Sequence, residues 1–539
     1  MSPLPPETIP RKRFLGFLIW QSIPSTLLFV SLNALFAVCS PRPTNPTSVS
    51  SRVVAFFTSV VMFQLSQLLF SASLSSLSTP SLSRPASPLE LGFVLVRLAI
   101  GSQPPGPPPE GRRRMELSLS IAAFLGACAV SGAVSVVAVC WALGGGSFSV
   151  KVVGFRGFAV GLFYGLFYVY KQRWILKFPI IQRPLFFSFK MGVPSAIGIA
   201  FRLSAVAYVF SAVLLALVRL HFKIQMPGGR LMFERIIFFI GMFVVFLCWE
   251  LSHHLHQALH TKRSIFAPPR GSAAAETNPS EPLLAALEES SPHSLVQYLA
   301  YLDLCMLCES NVDTWRRAAF FEETGETYKR VIAVCLRPLE RLATKLTEGL
   351  ESSSVDITLQ QSNQLLLPSN GSQLELLKDY QLYAWSARTV ASLTARSHSE
   401  DRFGIAQLSG SNASVVSTLL SCLLAVETFS GKRTHLQSSH QLVGPGGIRW
   451  AAPNTGRRDF PSSVMGKKRG SPLHSRAYAV ADVLKVSLYQ IVSAFYGEMQ
   501  GAAKSGLLER DWIVSSKPIF GTREALLQKL RIFLDYKAS

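Results

Sequence analysis

The sequence predicts an all-α protein: a six-helix polytopic membrane domain followed by a helical cytoplasmic domain. Three observations carry this expectation. The first 250 residues contain six apolar runs of about the length that crosses a bilayer, roughly 20 residues. Those residues hold 22 Lys and Arg against six acids, whereas the remainder holds 31 against 26. Beyond residue 294, apolar residues recur at helical spacing and no segment alternates with the period of a strand.

The composition narrows the function classes. Of 539 residues, 49% are hydrophobic and 16% charged, a low charged share for a protein dissolved in water. The net charge of +21 sits mainly in the apolar half. A nucleic-acid binder concentrates such charge on a soluble domain. Basic loops between apolar runs point instead to membrane topology and anionic lipid. The eight cysteines are scattered, several within apolar runs, which is no secreted disulfide framework and suits a reducing compartment.

The predicted spans are Phe14–Val38, Val53–Leu74, Leu117–Leu143, Val152–Tyr170, Val193–Val218 and Leu231–Leu251, within a domain of residues 1–264. The first run follows Arg11, Lys12 and Arg13 and lacks a small-residue cleavage site, so it reads as a retained helix. Pro88–Ile100 is too short to span, carries Arg97 and reads as interfacial or re-entrant. The N-terminus and the second and fourth loops carry thirteen Lys and Arg, and the first, third and fifth carry six. The heavier set faces the cytoplasm, which places both termini on that side. Arg112, Arg113, Arg114, Lys171 and Arg173 are candidate membrane-surface contacts. Arg202 and Arg156 lie inside predicted spans and motivate a second reading, a polytopic transporter or channel. Pairing with a neighbouring helix, snorkelling, or a span that begins later than Val193 explains Arg202 more simply. No internal repeat of the transporter kind is visible.

Residues 265–293, rich in Pro, Ser and Ala, read as a linker. A helical domain is expected over 294–430. Its helices are Ser294–Cys308, Tyr328–Leu346 (with Pro338 as a kink or break), Leu374–Ala395 and Ile405–Phe429. The last contains VVSTLLSCLLAVETF and reads as a buried helix, because its strongly apolar part is only about 14 residues, short of a span. Residues 431–476 hold nine Lys and Arg against Asp459 alone and read as a basic disordered loop. Ala477–Met499 and Thr522–Tyr536 complete a C-terminal segment, 477–539.

Catalytic and metal motifs are weak. His253, His256 and His260 share one helical face after the sixth run, yet no second His-x-x-x-His box exists to complete a di-iron site. An interfacial helix leaving the membrane explains them better. Cys305 and Cys308 lack a second pair for zinc and read as buried packing. No phosphate loop and no Gly-x-Ser-x-Gly nucleophile motif occurs. No enzyme, cofactor or metal is expected.

Two local patterns remain. Leu302-Asp303-Leu304 leads to Arg316-Arg317, Phe320, Gly325 and Tyr328, and then to a helix through Cys335-Leu336. Later comes SEDRFGIAQ, with Glu400, Asp401, Arg402, Phe403 and Gly404. With six spans and a helical second half, they resemble the nuclear division cycle transmembrane nucleoporin family, the membrane anchor of the nuclear pore complex, and most resemble a plant member. Tyr328 stands where many members have Trp, and Phe403 where many have Tyr, so an aromatic body is kept at both. The resemblance implies a nuclear-envelope protein that anchors the pore and supports its assembly, insertion and transport of mRNA and protein. It implies the partners too: the pore membrane, an ALADIN-type β-propeller protein and scaffold nucleoporins with amphipathic membrane helices, with no direct nucleic-acid contact. Each motif residue, taken singly, reads more readily as holding the fold than as touching a partner.

Overall fold

The computed structural model describes residues 8–39, 49–81, 85–86, 109–144, 149–179, 181–222, 231–269, 271–359, 377–434 and 472–538. It is all-α: among these residues there is no strand, only an isolated bridge between Thr79 and Ile175. The chain divides into two compact units, one of residues 2–264 with 290–299 and one of 265–289 with 300–539.

The first unit is built on six long helices: α1 (Thr8–Cys39), α2 (Val49–Leu77), α3 (Pro109–Gly144), α4 (Val150–Tyr170), α5 (Leu185–Phe222) and α6 (Leu231–His260). Each contains an apolar stretch long enough to cross a bilayer. The α3–α4 contact is the closest, because glycines let the backbones meet. A Cβ on Gly132 would lie 2.6 Å from the Gly157 carbonyl oxygen, and one on Gly161 would collide with that of Cys128. Helix α6 is the most enclosed. Its Trp249 stacks on Phe70 of α2 at 4.6 Å between ring centroids and meets Tyr164 of α4 edge-on at 4.9 Å. Helices α1 and α5 expose Leu27, Val30, Phe201, Val209 and Leu217 outward. Water does not tolerate so continuous an apolar surface; hydrocarbon does.

Several features differ from the sequence expectations. Helix α6 runs on to His260, and the side chains of His253, His256 and His260 are buried against neighbouring helices. His256 meets the edge of Phe17 on α1 and lies 3.2 Å from the Ser78 hydroxyl. Arg13 of α1 donates to the carbonyls of Leu259 and His260 at the end of α6 (3.0 and 2.6 Å). These are carbonyls a helix end leaves without partners. Helix α5 starts eight residues before the predicted span, at Leu185, and Arg202 is exposed on its outer face. Arg156 faces inward instead, its guanidinium over the Phe238 ring at 3.7 Å. Pro88–Ile100 lies outside the described residues.

The second unit contains α7 (Ala273–Thr277), α8 (Glu281–Glu289), the greater part of α9 (Leu295–Glu309), α10 (Thr314–Ala318), α11 (Glu326–Leu359), α12 (Tyr380–Glu400), α13 (Ile405–Leu408), α14 (Ser411–Thr434), α15 (Pro472–Ala494), α16 (Tyr496–Ser505), α17 (Leu508–Trp512) and α18 (Arg523–Ala538). The expected linker 265–293 is largely ordered here: Leu283, Leu284, Ala286 and Leu287 of α8 are buried, giving a short amphipathic helix enough apolar area to dock. Of the basic loop 431–476, residues 435–471 lie outside the described residues. Pro338 does not break α11. It has no N–H to offer the Val334 carbonyl, and the Tyr301 hydroxyl donates to that carbonyl instead, at 3.0 Å. Helix α14 is long and apolar enough to count as a seventh span by composition alone. It is nevertheless the core of this unit: Val415, Leu419, Cys422 and Leu423 are fully buried, and the Cys422 thiol donates to the Leu339 carbonyl of α11 at 3.1 Å. Its partner α11 exposes Arg337, Arg341 and Glu348, which hydrocarbon would not accept.

Candidate functional site

The two sequence patterns come together in the second unit. Asp303 of α9 is fully buried, and its Oδ2 accepts from Arg316 Nη2 at 2.8 Å and from the Phe266 backbone N–H at 3.0 Å. Arg316 also donates to the Phe266 carbonyl, at 3.1 Å. The next residue, Arg317, is equally buried and grips Glu400 with two parallel bonds of 2.8 and 2.7 Å. The fork of a guanidinium matches the two oxygens of a carboxylate, which makes this the stronger kind of ion pair. Adjacent arginines thus point to opposite partners, one to α9 and one to the end of α12.

More ties surround the pair. Arg388 of α12 holds Glu309 through two 2.6 Å bonds, and Arg396 reaches the Glu309 carbonyl (3.0 Å) and Glu400 (3.2 Å). Burial pushes the Glu400 carboxyl up, but hydrogen bonds and charge from Arg317 and Arg396 outweigh it, so its pKa lies below the ordinary value. Its ionised form therefore supports the fold above the usual carboxylate range. That support is lost as pH falls through the lowered value.

The turn at Gly325 fixes the start of α11. Gly325 has φ +69°, a left-handed conformation that side chains disfavour, and a Cβ there would lie 2.7 Å from Ile405 Cγ2. Glu322 caps the helix, accepting from the Thr327 backbone N–H at 3.2 Å and its hydroxyl at 2.5 Å. The bonds from Thr327 lower its pKa. Phe320 is fully buried, as is Tyr328, whose ring lies 5.6 Å from that of Phe321. In the second pattern, Asp401 accepts from the backbone N–H groups of Phe403 (3.2 Å) and Ala406 (2.9 Å), and Gly404 adopts φ +67°. This charged corner starts α13. Phe403 is half exposed, and its role as packing aromatic is slight compared with that of Tyr328.

The thiols Cys305, Cys308 and Cys335 are buried together. Burial pushes Cys305 up to about 12 and raises the other two as well, so they stay protonated and unreactive at neutral pH. Among the described residues no three His, Cys, Asp or Glu side chains converge to hold a metal ion. What this constellation does chemically is to clamp helices.

In the membrane unit, four of the five candidate surface cations remain outside the bundle interior. Arg112 is exposed and pairs with Glu116 at 3.1 Å, Arg113 is exposed, Arg114 is half-buried and Lys171 is exposed. Arg173 differs. Its guanidinium makes two bonds of 2.6 and 2.7 Å to Glu250, which is fully buried and also accepts from the Tyr164 hydroxyl at 2.9 Å. Arg173 is thus an interior clamp and not a lipid contact. Sequence reasoning passed over Glu250. The signal was a lone carboxylate ending the apolar run FLCWE, a group that needs a cation partner at that depth.

A search of curated proteins returned no match. The family model described as nucleoporin protein Ndc1-Nup matches residues 153–374 and 370–499. The matched residues run from α4 through most of the second unit and include both clamped patterns, Leu302–Leu336 and Ser399–Gln407. On the extent of that match, this chain belongs to the Ndc1-Nup family of nucleoporins.

Proposed function

We propose that the chain anchors the nuclear pore complex in the nuclear envelope and supports insertion of new pores. The family match carries this reading, joined to six apolar helices that need a bilayer around them. The basic N-terminus and the loops after α2 and α4 would face the cytoplasm, in keeping with the positive-inside rule, with both termini on that side. The helical second unit would serve as a platform for other nucleoporins, such as an ALADIN-type β-propeller and scaffold subunits carrying amphipathic membrane helices. Its role is one of attachment, without chemistry of its own. Its clamps of Arg316, Arg317, Glu400 and Asp401 would hold the platform in shape, leaving outward residues such as Arg402 and Phe403 for contact.

Proximity labelling from the C-terminus of the full chain in cells, with imaging, tests this. The expected result is a punctate nuclear rim and strong enrichment of pore subunits. A plasma-membrane or diffuse reticular pattern without such enrichment contradicts it.

A further inference from the structure

Two adjoining hollows of about 490 and 420 Å³ lie on the membrane unit where the chain enters α5 and leaves α6. Both are lined by Arg183 and Met191. Phe187 and Lys190 line the first, and Gln182 and Lys262 the second. The sequence QRPLFFSFKM sets this up. Arg183, Phe187, Lys190 and Met191 stand at i, i+4, i+7 and i+8, so they share one face as the chain turns into α5. Gln182 ties the segment to the end of α6, its side-chain oxygen accepting from the Arg263 backbone N–H at 3.1 Å. Lys262 is thereby brought to the same place.

The chemistry of this face is mixed in a telling way. Arg183, Lys190 and Lys262 are exposed, and none of them is within ion-pair reach of a carboxylate among the described residues. Among the described residues, the acceptor that Arg183 reaches is the Met191 sulfur. Between these cations lie two apolar side chains, Phe187, 56% exposed, and Met191, 62% exposed. The level is set by Gly192, whose Cβ would touch the His254 ring, near the basic end of α6 that Arg13 caps. Unpaired cations above bare apolar side chains, at the end of membrane-length helices, match a phosphate carried on acyl chains.

We propose that this face binds an anionic phospholipid, with Arg183, Lys190 and Lys262 around its phosphate and an acyl chain along Phe187 and Met191. The proposal rests on the membrane-anchor reading above and gives that anchor a specific lipid. The charge complementarity and the position beside the ends of membrane-length helices favour lipid over a protein partner.

The test is photo-crosslinking of the full chain in phosphatidylcholine vesicles, using a photoreactive phosphatidic acid or a photoreactive phosphatidylcholine as probe. The expected result is preferential labelling of residues 179–191 and 258–262 by the anionic probe. Arg183→Gln/Lys190→Gln/Lys262→Gln should reduce that labelling roughly tenfold, and Arg183→Lys/Lys190→Arg/Lys262→Arg should retain it. Equal labelling by the two probes, or labelling unchanged in the glutamine variant, overturns the proposal. So does a pore protein crosslinked to this face in native envelopes in place of lipid. Rim localisation of the unaltered chain, scored in parallel, separates failure of this site from failure of the anchor reading.

Discussion

Asp303→Ala is expected to destabilise the helical unit by about 3–5 kcal/mol, the cost of breaking a buried ion pair from one side. The loss has two parts. Arg316, 2% exposed, keeps its charge with no counter-charge, and the Phe266 N–H loses its acceptor. Two guanidinium nitrogens of Arg316, Nε and Nη1, already have no hydrogen-bond partner among the described residues, so the site has little reserve. A total stability of 5–15 kcal/mol is usual for a domain, and a loss of this size reduces the folded population severely. Limited proteolysis of the purified chain measures it, with cleavage expected to begin in residues 300–430. The double variant Asp303→Leu/Arg316→Met should recover much of the loss, since replacing both ions with apolar groups removes the uncompensated charge. If Asp303→Ala is as resistant as the unaltered chain, the pair does not hold the fold.

Gly161→Val is expected to separate α3 from α4 and to cost at least about 1–3 kcal/mol. The neighbour that a Cβ would strike is the Cys128 carbonyl, part of a helix backbone and not a flexible side chain that can step aside. The displacement would spread, because Gly132 and Gly157 meet in the same seam and Tyr164, one turn further along α4, holds Glu250. The measurement is thermal aggregation of detergent-purified protein: the variant should aggregate at a clearly lower temperature. Gly126→Ala is the control, because nothing lies within 4 Å of its Cβ position.

The parts of this fold readable from sequence are those fixed by local chemistry. Long apolar runs with little charge identify the long membrane helices, and leucines at helical spacing identify α9, α11, α15 and α18, because both signals are properties of single segments. The pairings were not readable. Arg317 and Glu400 are 83 residues apart, and Arg173 and Glu250 are 77 apart, so nothing local marks either as a partner of the other. Resemblance to a family singled out both motifs, yet it could not tell that Gly325 seats Ile405, which needs the three-dimensional contact. The partners of the histidines were hidden for a related reason. Polar residues past an apolar run look interfacial, but neighbouring helices supply Phe17, Ser78 and Tyr168 as partners, and that supply is invisible in the run itself. Pro338 misled because a hydroxyl from α9, some 37 residues upstream, takes over the carbonyl it frees.

The most direct test of a membrane-anchored scaffold is the sidedness of its two ends. Cells expressing the full chain with different epitope tags at the N- and C-termini are permeabilised with digitonin, which opens the plasma membrane and spares the nuclear envelope. Six spans predict that antibodies reach both tags at the nuclear rim under these conditions. A C-terminal tag that stains only after the envelope itself is opened would put the helical platform in the lumen and contradict the anchor.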